Sequence, residues 1–135
     1  MLPGPVNVTE LAAIAYAIAT AIVIAFQVAL ALGAPWGAYA MGGRIPGRLP
    51  AAMRVAALVQ AVVLGVLAVV VLSFAGLAAP SLARDFPWLI WVAVAVSAAS
   101  VAMNAVSRSP GERRTWVPVG LVLLASSLTV ALTAG

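Results

Sequence analysis

Glu112, Arg54 and three side-chain amides, Gln27, Gln60 and Asn104, are the residues of this chain best equipped to hold a ligand. Reactive groups beyond them are scarce. There is no His and no Cys, and the only carboxylates are Glu10, Asp85 and Glu112. General acid–base, thiol and metal-centred chemistry would each need groups that are missing or scattered along the chain. What remains is hydrogen bonding by amides and hydroxyls, with charge recognition by a carboxylate and a guanidinium. That is the chemistry of binding, so neither catalysis nor a bound cofactor or metal is expected.

The elements that position these groups are four long apolar runs, from about Glu10 to Gly33, Ala51 to Leu77, Trp88 to Val106 and Trp116 to Thr133. A bilayer core about 30 Å thick takes roughly 20 apolar helical residues, and each run is near or above that length. Charged residues make up 7% of the chain, against about 25% in an ordinary soluble domain. The expected fold is therefore an all-α membrane protein, a single four-transmembrane-helix bundle over residues 1–135. The first run is too long for a signal-peptide core and lacks a basic segment before it, so a retained span is expected.

All seven basic residues are Arg, and six of them lie in or beside the first and third connections: Arg44, Arg48 and Arg54, then Arg108, Arg113 and Arg114. The second connection has only Arg84, beside Asp85. The positive-inside rule puts loops 34–50 and 107–115 in the cytoplasm and both termini on the outer side. The expected location is a cell membrane, crossed several times. Arg44, Arg48, Arg108, Arg113 and Arg114 are then placed to meet anionic headgroups. They form no face broad enough for nucleic acid.

Capping signals mark the helix starts. Asn7-Val8-Thr9-Glu10 and Ser109-Pro110-Gly111-Glu112 both read as capping boxes. Pro50 and Pro87 suit first turns, with Asp85 as a cap for the third helix, and Pro118 should bend the fourth helix. Helix one carries a small residue every four positions, Ala13, Ala17, Ala21, Ala25, Ala29 and Gly33. Such stripes permit close helix approach and favour a right-handed crossing. They serve packing within the bundle or, alternatively, a homodimer seam. Polar residues also align: Tyr16, Thr20 and Gln27 fall within about 40° on helix one. Ser97, Ser100, Asn104 and Ser107 lie within about 80° on helix three, and Ser126, Thr129 and Thr133 do the same on helix four. Facing one another, these stripes are hydrogen-bonding glue or the walls of a pocket.

Gln27, Arg54, Gln60, Asn104 and Glu112 all belong to the cytoplasmic end and form the candidate polar pocket, with an Arg54–Glu112 ion pair as one way to close it. Arg54 can instead snorkel to the headgroups. The first loop, Gly33 to Pro50, holds five Gly and three Pro but no Ser, Asn, Asp, Glu or Lys. Its Trp36, Tyr39 and Met41 suit a segment folded back onto the bundle. They are the candidate lid.

Two stretches, GAPWGAYAMGGRIPGRLPAAMRVAALVQ (33–60) and MNAVSRSPGERRTWVPV (103–119), resemble a group of small bacterial four-span membrane proteins of uncharacterised activity. The resemblance implies the four-span topology and a bacterial inner membrane, and implies no activity, substrate or cofactor. The functional expectation is a non-enzymatic membrane protein acting by binding or assembly. A small-solute transporter or channel, working as a homodimer, is the alternative. Glu10 in a capping position argues against proton-coupled cation export through a first-helix carboxylate.

Overall fold

The computed structural model describes residues 5–134; residues 1–4 and 135, including the start of the segment weighed against a signal peptide, lie outside it. Its helices are α1 (Val8–Ala31), α2 (Ala51–Phe74), the short α3 (Pro80–Asp85), α4 (Leu89–Ala105) and α5 (Pro110–Thr133). Two 3-10 turns, Gly37–Tyr39 and Met41–Gly43, shape the loop after α1. No strand occurs among the described residues. α1, α2 and α5 are each long and apolar enough to cross a membrane. α4 is apolar but has 17 residues, which at about 1.5 Å per residue span about 26 Å.

α1 packs between α2 and α5, and α5 packs between α1 and α4. The ring is looser where α2 and α4 meet. Burial along each long helix advances in steps of three and four residues. On α1 the buried set includes Ala13, Tyr16, Thr20, Gln27 and Leu30. On α2 it includes Ala57, Ala61, Leu64 and Val71, on α4 Ile90, Ala93 and Ser97, and on α5 Gly120, Leu123, Ser127 and Val130. The alanine stripe of α1 is not one continuous contact face, since Ala21 and Ala25 face outward.

The outer surface is apolar as well. Ile18 and Ile22 on α1, Val59 and Val62 on α2, and Leu121 and Leu132 on α5 are among many exposed aliphatic residues. An apolar belt of that extent is stable against lipid and not against water. The polar side chains turned inward mostly satisfy themselves. Ser97 bonds to Ala93 O at 2.8 Å, Ser126 to Val122 O at 2.6 Å and Ser127 to Leu123 O at 2.7 Å. The hydroxyl stripes therefore supply less interhelical glue than their alignment suggests. One link does cross: the Thr9 and Thr133 hydroxyls hydrogen-bond at 2.6 Å. It joins the start of α1 to the end of α5, at the end of the bundle opposite the two Arg-rich connections.

Both N-caps form: Asn7 Oδ1 accepts the Glu10 amide at 2.8 Å, and Ser109 Oγ accepts the Glu112 amide at 3.1 Å. Neither box closes reciprocally, because Glu10 Oε1 accepts from the Asn7 side-chain amide at 2.9 Å and Glu112 Oε2 from the Gly42 amide. α5 thus begins at Pro110, inside the stretch expected to be loop 107–115, and runs through Pro118 as one helix. Asp85 does not cap α4. It ends α3 and pairs with Arg84.

Candidate functional site

At the loop end the four-helix seam opens into a cavity of about 390 Å³, within the range that small-molecule sites occupy. The reason lies in the side chains that continue the seam there. In the terminal half Tyr16, Val71, Ile90, Leu123 and Val130 meet and exclude space. In the loop half the same faces present Gln27, Ser100 and Asn104, and these stand around the cavity instead of filling it.

Glu112 and Gln27 are its most enclosed polar groups, 5% and 8% exposed. Glu112 sits in the first turn of α5, where the positive end of the helix dipole favours a carboxylate. Its Oε2 accepts the Gly42 backbone amide at 3.1 Å. Among the described residues no guanidinium lies within ion-pairing distance of it. Gln27 Oε1 is buried and has no hydrogen-bond partner. An orphaned acceptor of this kind costs free energy until a donor reaches it.

Aromatic rings form one wall. Phe26 and Trp116 approach to 4.7 Å between centroids, tilted by 56°. The Trp116 indole donates to Tyr39 O at 2.8 Å, tying α5 to the loop between α1 and α2. That loop caps the cavity. Ser109 donates to Ala38 O, Ala38 N to Pro46 O at 3.2 Å and Gly37 N to Gly47 O at 3.0 Å. Two glycines make the docking possible. A Cβ on Gly37 would stand 1.8 Å from Ile45 O, and one on Gly111 would stand 2.7 Å from the Tyr39 ring.

Of the residues expected in the pocket, Gln27, Gln60, Asn104 and Glu112 line the cavity, as do Tyr39 and Met41 of the expected lid. Arg54 and Trp36 do not. Arg54 Nε donates to Ala31 O at 2.9 Å. That contact caps the last carbonyls of α1, where a cation is favoured by the helix dipole. The Arg54–Glu112 pair is not formed. Trp36 stacks on Phe26 from outside, 6.2 Å between centroids, and stays exposed. Phe26, Met103 and Gly120 are walls that sequence reasoning missed, as is Trp116. Its spacing offered a signal, because Trp116, Gly120 and Leu123 share one α5 face in the four-then-three rhythm of the seam.

Gln60, Met103 and Val106 line the cavity and remain exposed, so its mouth lies between α2 and α4, where the ring is loosest. Beside it, Arg44 and Arg108 flank a shallow hollow that shares Gly42, Val106 and Ser107 with the cavity.

The chain matches no protein-family model, no curated protein and no solved structure. The functional reading therefore rests on the site itself.

Proposed function

We propose that this is a four-span integral membrane protein that binds a small amphipathic molecule in the cavity at its cytoplasmic end. In this reading α4 is the fourth span, the termini face outward and the Arg-rich loops face the cytoplasm, in a bacterial inner membrane. The observation that carries the proposal is a buried carboxylate without an ion-pair partner lining an apolar, aromatic-walled cavity with a sideways mouth. Polar groups at one end and apolar walls elsewhere suit a ligand that is itself amphipathic. Glu10 and Asp85 belong to the opposite end, which leaves Glu112 without the second carboxylate that acid–base chemistry would use, and binding remains the better account.

Transport is a weaker reading, because the terminal half of the seam is packed by Tyr16, Val71 and Leu123 and offers no continuation of the cavity. Native mass spectrometry of the full chain, extracted in mild detergent, tests the proposal. A bound small molecule retained by the wild type and lost in Ser100→Phe, which fills the cavity, is the expected result. A protein that carries no molecule of any kind would overturn it. Proteoliposome flux abolished by Gln60→Ala would replace binding by transport.

A further inference from the structure

We infer that the occupant of this cavity is the headgroup of an aminophospholipid, its ammonium held by Glu112. Its phosphate then rests between Arg44 and Arg108. The inference rests on the binding role proposed above and adds the chemical class of the ligand.

The sign of the charge comes first. Among the residues lining the cavity, Glu112 is the one formal charge, in a chain whose net charge is +4. The arginine expected to neutralise it, Arg54, is committed to the end of α1. A carboxylate that is 5% exposed, with a single backbone amide on Oε2, is the natural counter-ion for a cation.

The rest of the ligand follows from what adjoins the cavity. Arg44 and Arg108 flank a hollow that adjoins it, with Gly42, Val106 and Ser107 lining both. Two guanidinium groups there fit a phosphate. A cation site and an anion site on neighbouring walls match a zwitterionic headgroup. Beyond the polar groups the lining turns apolar at Leu64, Val119 and Leu123. The mouth between α2 and α4 opens sideways, as acyl chains running into the bilayer require. The headgroup end of the cavity coincides with the Arg-rich connections, at the depth where headgroups lie.

Native mass spectrometry with defined additives to the full chain tests this. The probes are phosphatidylethanolamine, phosphatidylglycerol (phosphate without ammonium) and dodecylammonium (ammonium without phosphate). The wild type should prefer phosphatidylethanolamine over phosphatidylglycerol. Glu112→Gln keeps an oxygen for the Gly42 amide, so the fold survives. It should weaken both amines by about tenfold or more, as loss of a charge-assisted contact does. The Arg44→Ala/Arg108→Ala double variant should weaken phosphatidylethanolamine while leaving dodecylammonium unchanged. Equal binding of phosphatidylglycerol, or unchanged amine binding by Glu112→Gln, would overturn the inference while leaving a lipid-binding cavity in place. Binding of dodecylammonium alone would make the source a free amine and refute the lipid. Binding of none of the three, together with no co-purifying molecule, would defeat the binding role itself.

Discussion

The Gly42 amide donates to Glu112 Oε2 at 3.1 Å across 70 residues of sequence. One hydrogen bond thereby joins the loop over the cavity to the first turn of the helix that forms its wall. The same carboxylate sits in the first turn of α5, anchors the loop and lines the cavity, so its substitution separates structural from ligand-binding effects.

Glu112→Ala leaves the Gly42 amide without an acceptor, a loss of about 1–3 kcal/mol for a group withdrawn from water. Amide exchange across residues 37–43 in detergent should accelerate in Glu112→Ala and stay near wild type in Glu112→Gln. Identical exchange in all three proteins would show that the anchor is not needed.

Gly37→Ala forces a methyl to 1.8 Å from Ile45 O, and the loop must open its own contact between Gly37 and Ile45. The expected cost exceeds about 2 kcal/mol, the range of severe overpacking. Gly47→Ala in the same loop meets nothing within 4 Å and should shift stability by less than about 0.5 kcal/mol. Thermal unfolding in detergent compares the two. A Gly37→Ala protein as stable as Gly47→Ala would contradict the tight fold of the loop.

Arg54→Ala removes the contact to Ala31 O and should destabilise the protein by about 0.5–2 kcal/mol through the end of α1. Ligand occupancy should not change, since Arg54 lies outside the cavity wall. Loss of the ligand at full stability would return Arg54 to the site.

Reporter fusions test the topology. Alkaline phosphatase at the C-terminus should be active, and a fluorescent protein there dark. The reverse pattern would refute the outward termini.

Much of the helical framework was legible in the chain because lipid leaves little choice. Apolar length and the Asn7 and Ser109 capping boxes placed three helix starts within a few residues, for every backbone group in hydrocarbon must be paired within its own segment. The short α3 was not legible. It depends on Ser73, which accepts the Ala83 amide at 3.0 Å and donates to Ala79 O at 2.8 Å, a contact set by how the chain leaves α2.

The sequence by itself determined which residues could bind anything: four of the five expected pocket residues and two of the three lid residues stand around one cavity. Hydrophobic periodicity confines polar groups to inward faces, and that much is local. Only the tertiary structure decided which of them meet. Alanine spacing suggested one helix face, whereas the packed bundle turned Ala21 and Ala25 outward and buried the face of Tyr16, Thr20 and Gln27. Arg54 and Glu112 looked like partners because both belong to the same end. Folding gave Arg54 to Ala31 O and Glu112 to the Gly42 amide, because the end of each helix offers a fixed dipole and unpaired backbone groups within a side chain's reach. The charge left facing the cavity is therefore negative, the opposite of the chain's net charge.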